Sequence, residues 1–122
     1  ANGVVLGTSF FYGSEDEKVK SFTEKYTEAY GSEPSTFAAQ IYDATYAILY
    51  AIEKGESADR ADIVENLAST DFQGITGKIA FDEEGNCPKE QVLLEIENGE
   101  YHEIPGVLKS QSDWEASKGI TD

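Results

Sequence analysis

Basic residues are scarce in this chain: nine lysines and arginines stand against 24 aspartates and glutamates, a net charge of −15. Nucleic-acid binding needs clustered Lys and Arg that displace counterions from phosphates, so the composition argues against a nucleic-acid partner. It argues equally against docking on an anionic membrane surface. The excess of acid reads as a solubilising surface. Cysteine is scarcer still. Cys87 stands alone, which excludes an intrachain disulfide and any multi-cysteine metal site, and leaves the redox compartment open. His102 is the single histidine. Long hydrophobic runs are missing as well: the most apolar stretch, Phe37 to Ile52, is shorter than the about 20 apolar residues a bilayer requires and carries Asp43 near its middle. There is no internal repeat, no low-complexity segment and no visible targeting segment. The opening, ANGVVLG, reads as a strand cut from something longer, so the missing leader says little about location.

The motifs that carry familiar chemistry are also lacking. No Gly-x-Ser-x-Gly elbow is present. Gly74-Ile75-Thr76-Gly77-Lys78 has a glycine before a lysine, but the glycine spacing is too short for a phosphate loop and Ile79 follows where Ser or Thr belongs. Asp82-Glu83-Glu84-Gly85-Asn86 has its glycine two positions early for a calcium loop and Leu93 at the twelfth place, so it reads as a solvated turn. Neither a metal site nor a cofactor is expected. Cys87 and His102 flank the same predicted hairpin, which leaves a small Cys/His hydrolase as an alternative; a surface histidine and an incidental buried cysteine are the plainer reading.

What remains is an α/β pattern. A chain of 122 residues with 39% hydrophobic content and 14 aromatic side chains suits one domain with a real core. The stretch from Pro34 to Gly85 organises it. Ser35 is placed to cap a helix and Gly55 to close it, and the residues between are apolar nearly all round, which predicts a core helix covered on more than one side. Before it, Val4, Val5 and Leu6 between glycines read as a strand of the parallel, twice-buried type. A loop with Phe10, Phe11 and Tyr12 follows, suited either to packing at a sheet end or to a cleft wall. Ser14 and Glu17 make a capping box for a helix whose stripe is Val19, Phe22, Tyr26, Ala29 and Tyr30, with Asp16 and Lys20 as a surface pair and Gly31 as its end.

After the central helix, Ile63, Val64 and Leu67 predict a shorter one over about 59–69. Phe72 to Gly77 reads as a turn-rich connector, Lys78 to Phe81 as a strand, and Val92 to Ile96 as another. Asn98-Gly99 signals a two-residue hairpin turn into Tyr101 and Ile104. From Pro105 the chain is mostly polar, with a short helix predicted around Trp114.

Taken in order, four groups of residues carry a resemblance: Phe22-x3-Tyr26-x3-Tyr30-Gly31-x2-Pro34; Phe37-x4-Tyr42-Asp43-Ala44; Ala51-Ile52-Glu53; and Phe72-x-Gly74-x-Thr76-Gly77-x-Ile79-x-Phe81-Asp82-x2-Gly85. The set resembles the carboxyl-terminal part of a type I substrate-binding protein of the branched-chain amino acid (Leu/Ile/Val-binding) ABC transporter family, over about residues 3 to 104. The resemblance implies a fragment of a two-lobe α/β fold with about three helices, a short parallel-type strand and a C-terminal β-hairpin, followed by a polar tail over 105–122. It implies a non-catalytic, extracytoplasmic solute receptor whose partners are a small ligand, an amino acid or similar, and a transporter permease. A ligand-sensing receptor domain of the same fold is the alternative. Residue by residue it implies that Phe37 lines the ligand cleft, with Thr8, Ser9 and Phe10 near the hinge and cleft mouth. It makes Tyr42 and Asp43 structural, and Gly74 and Gly77 the hinge points of a tight turn. A fragment of this kind is expected to self-associate through its first strand and to bind no free amino acid tightly by itself.

Overall fold

The structure, a computed structural model, describes residues 1–104 and Gly119. Its elements run β1 (Val5–Thr8), α1 (Glu17–Tyr30), α2 (Thr36–Gly55), α3 (Arg60–Leu67), β2 (Asp71–Gly74), β3 (Gly77–Ala80), β4 (Val92–Glu97) and β5 (Glu100–Glu103). The predicted helix around Trp114 lies outside the described residues. The chain separates into two compact units, one made of Ala1–Thr8 with the residues from Gln91 onward, the other of Ser9–Glu90.

The first unit is an antiparallel sheet in the order β1-β4-β5. Val5 faces Glu95 and Thr8 faces Val92, while Leu94 pairs with Glu103 and Glu97 with Glu100. Asn98 and Gly99 both take positive φ, 53° and 81°, as the two-residue turn demands. The first strand is not of the parallel, twice-buried type expected: its ladder among the described residues, to β4, is antiparallel, and none of its residues is fully buried. Among the described residues β1 is an edge strand, and Val4 just before it is exposed.

The second unit holds the three helices and the β2–β3 hairpin. Its core is Phe10, Val19, Phe22, Ala39 and Ile75, with Tyr26 packed against it. α1 starts two residues later than the capping box implied. Asp16, not Ser14, is the N-cap: its carboxylate accepts from the Lys18 and Val19 amides, and Ser14 Oγ accepts from the Asp16 amide. With Asp16 so occupied, Lys20 pairs instead with Glu15 at 3.0 Å. Gly31 ends the helix in the left-handed region as expected. Only Val19 and Phe22 of the predicted stripe are buried; Tyr30 is 71% exposed.

α2 begins on Ser35, whose Oγ accepts from the Ala38 amide. Its left-handed cap is Glu56 (φ 48°), one residue beyond the expected Gly55. Gly55 is a glycine for another reason: a Cβ there would collide with the Asn66 side-chain nitrogen of α3. The expectation that α2 is covered on more than one side is not met. Its buried residues, Ala39, Asp43, Ala47 and Ala51, form one narrow arc, while Phe37 is 76% and Ile41 68% exposed and Ile48 and Leu49 are about half exposed. The helix has the composition to be surrounded, but these residues supply neighbours on one side. α3 is shorter than predicted, no residue of it is fully buried, and Val64 points outward.

Candidate functional site

The middle of α2 carries one charge. Asp43 is 3% exposed, and both of its carboxylate oxygens are used. Oδ1 accepts from the Ile75 amide at 3.0 Å, and Oδ2 accepts from the Thr76 amide at 2.8 Å and the Thr76 hydroxyl at 2.5 Å. These three bonds hold the loop of the β2–β3 hairpin, in which Gly74 faces Gly77 across Ile75 and Thr76. Gly74 is required by proximity: a Cβ there would stand 2.5 to 2.6 Å from the Asp43 carboxylate. Gly77 is required by conformation, with φ 99°. Asp43 is thus a structural residue, and both glycines belong to the tight turn. Lys89 closes the arrangement, its Nζ donating to Thr76 Oγ1 at 2.9 Å and to the Lys78 carbonyl at 3.3 Å.

Beside this clamp runs an open groove of about 750 Å³ between α1, α2 and β2, with Tyr26 and Tyr30 on one side and Tyr42, Tyr46, Tyr50 and Phe72 on the other. Successive rings along α2 sit 4.9 and 5.8 Å apart by centroid, and Tyr50 meets Phe72 edge-on at 4.9 Å. Spacing by four residues places these tyrosines on one helical face. Hydrogen bonding with Tyr46 pushes the Tyr42 hydroxyl up to about 12, helped by burial and by the neighbouring Tyr46 and Asp43. The repeat of tyrosines at 42, 46 and 50 is visible in the sequence, but reading α2 as enclosed hid the groove they line.

The four residues singled out in the sequence fall as follows. Phe37 stands in the first turn of α2 and is largely open to solvent. One turn on, Gln40 Nε2 donates to Ser9 Oγ at 3.4 Å, so Ser9 lies beside the helix start that carries Phe37. Phe10 is 4% exposed and its ring meets Phe22 edge-on at 5.9 Å, a packed position within the core. Thr8, the last residue of β1, is half-buried opposite Val92 in the other unit. Of the aromatic loop, Phe11 stacks at 5.3 Å on Tyr12 and lies so close to Gly13 that a Cβ would strike its ring. Cys87 is half-buried with its Sγ 4.0 Å from the Lys78 carbonyl, and His102 is exposed on β5 opposite Glu95. Among the described residues no three His, Cys, Asp or Glu side chains gather as a metal site, and no helix is long and apolar enough to cross a membrane.

The fold of this chain is similar to part of several known proteins. A leucine binding protein from Thermotoga maritima is 34% identical, with a TM-score of 0.72 over 84% of this chain and 30% of its own. A putative branched-chain amino acid ABC transporter protein from Rhodospirillum rubrum is also 34% identical, with a TM-score of 0.74 over 84% of this chain and 31% of its own. An ABC transporter substrate-binding protein from Desulfitobacterium hafniense, solved in complex with Leu, is 26% identical, with a TM-score of 0.77 over 85% of this chain and 32% of its own. The chain therefore spans about a third of the length of these structures. The family model described as periplasmic binding protein matches residues 1–95. With most of its length inside that match, this chain belongs to the periplasmic binding protein family.

Proposed function

We propose that these residues are the carboxyl-terminal part of the solute-binding component of an ABC importer, working outside the cytoplasm and binding an amino acid or a similarly small metabolite. The observation that carries this reading is the match of residues 1–95 to the binding-protein family, together with 34% identity to a leucine binding protein. Two features of the chain support it. The apolar arc of α2 that stays open is what a helix shows when part of its packing comes from elsewhere. Phe37 stands largely exposed in the first turn of α2, a helix start capped by Ser35.

In this reading Phe37 supplies an apolar wall to the ligand, Ser9 and Thr8 lie near the cleft mouth, and Phe10 sits behind them as packing. No residue acts as a catalyst; binding and release are the whole activity. The test is a graft. Residues 1–95 replace the matched third of the Thermotoga maritima leucine binding protein, and leucine, isoleucine and benzoate are titrated calorimetrically. The expected result is a folded graft that binds one of the three, with Phe37→Ala weakening that binding about tenfold or more, the scale of losing one aromatic anchor. A folded graft that binds none of them, or a Phe37→Ala variant with unchanged affinity, contradicts the assignment.

A further inference from the structure

The groove beside the Asp43 clamp has no role in the clamp, and Phe37 is not among the residues that line it. It lies wholly within the helical unit, between two stripes at helical spacing: Lys18, Phe22 and Lys25 on α1, and Tyr42, Tyr46 and Tyr50 on α2. Its volume of about 750 Å³ is that of a small-molecule site, for which roughly 300–1,000 Å³ is usual.

The aromatic wall is half open yet fixed in place. Tyr42 and Tyr46 are 38% exposed and Tyr50 43%, while Phe22 lies 4.7 Å from Tyr42 and Phe72 4.9 Å from Tyr50 by ring centroid. From Tyr42 to Tyr50 the helix rises about 12 Å, the length of a two-ring molecule and too short for an extended peptide. Rings set in this way offer faces and edges to another flat aromatic system.

Charge then chooses among aromatic ligands. Although the chain carries −15, the groove has two cations, Lys18 and Lys25, against Glu17; the Asp43 carboxylate is taken up by the hairpin amides. Lys18 is committed, its Nζ donating to the Gln73 carbonyl at 2.8 Å. Lys25 forms no ion pair among the described residues and stands two helical turns, about 10 Å, beyond Lys18 and Glu17. An anionic group therefore fits at the Lys25 end. The Tyr42 and Tyr46 hydroxyls bond to each other, which leaves one of their two protons to donate to a ligand. A free aliphatic amino acid lacks the ring and brings an ammonium of its own towards Lys25, so the groove selects against it.

We propose that this groove is a binding site for a small aromatic carboxylate, with its ring against Tyr42, Tyr46 and Tyr50 and its carboxylate on Lys25. Phe37 takes no part, so the site stands whether or not the solute-receptor reading does.

Titration of 2-naphthoate into the 122-residue chain, followed by amide and aromatic chemical shifts, tests it. Saturable shifts centred on the groove residues are expected, with a Kd below about 1 mM. Lys25→Met should weaken binding roughly fivefold, the scale of one exposed ion pair. The neutral counterpart 2-naphthylmethanol should bind more weakly and should not distinguish Lys25→Met from the unaltered chain. Tyr46→Leu, which keeps an apolar side chain against its neighbours, should weaken both ligands by up to about tenfold, the scale of one aromatic pair. Lys20→Met, at a lysine of α1 that pairs with Glu15 and lies outside the groove, should change neither. The absence of saturable shifts at the groove overturns the proposal. Equal affinity for the neutral counterpart overturns it too, as does binding that survives Lys25→Met and Tyr46→Leu unchanged.

Discussion

Asp43 lies in the middle of an otherwise apolar helix, and its carboxylate is what closes a turn made of Ile75 and Thr76. Those residues have little turn preference of their own, and neither takes positive φ. Asp43→Ala strands two buried amides and a hydroxyl, so a loss of about 3 kcal/mol is expected in urea melts. Gly74→Ala should cost a similar amount, roughly 2–4 kcal/mol, because its Cβ and the carboxylate cannot share the space. Retained stability in either variant would mean the clamp is not what shapes the hairpin. Tyr42 gives a pH signature at the alkaline end. Its hydroxyl is held up to about 12, against 10.0 unperturbed, first by hydrogen bonding with Tyr46. Below the unfolded value both states keep the proton and stability is unaffected. From there to about 12 the unfolded chain ionises first, so stability falls as pH rises. Tyr42 is partly exposed, which makes the effect modest; Tyr42→Phe should remove it, and an identical alkaline midpoint in that variant would assign the loss to other groups.

At the scale of elements, caps separate what local sequence fixes from what packing decides. Glu56 holds a left-handed conformation that costs a non-glycine residue about 1 kcal/mol, so Glu56→Gly should stabilise the protein by about 0.5–1 kcal/mol. A destabilised Glu56→Gly would show that its side chain makes a compensating contact. The three helices among the described residues were legible in the sequence, α1 from its acidic capped start and apolar stripe, α2 from its capped apolar run and α3 from Ile63, Val64 and Leu67 alone, and Asn98-Gly99 announced its hairpin. Strand β2 was not legible. Asp71, Phe72, Gln73 and Gly74 lack β-branched residues, and their pairing with β3 is secured by a carboxylate more than 30 positions away in sequence. The cap of α1 was misassigned for a smaller reason: Ser14 and Asp16 are both good caps, and only geometry shows which one the Lys18 and Val19 amides choose. The open face of α2 was beyond reach for a third reason. Composition states what a helix is able to bury, and the surrounding chain decides what it does bury. Phe37 was singled out through resemblance alone, and its exposure is what the structure adds; the Lys89–Thr76 bond was not legible, since a lone lysine in a polar loop carries no periodic signal.

The described residues present two surfaces of the kind that recruit neighbours, the edge strand β1 with exposed Val4 beside it and the open arc of α2. We expect the chain by itself to self-associate, by exchange or pairing of the first strand between copies. Sedimentation velocity over a range of concentrations should show a growing heavier species, and a clean monomer at high concentration contradicts this. The net charge of −15 opposes the association, so added salt should strengthen it.

Ligand binding is the sharper test of the same picture. A small-molecule site ordinarily buries about 70–90% of its ligand, and under the proposed function a wall formed by the exposed Phe37 would leave most of a free amino acid in water. Calorimetric titration of leucine into the 122-residue chain is therefore the most direct measurement. The account predicts no heat beyond dilution; a saturable isotherm with a micromolar Kd would show that these residues enclose a solute unaided.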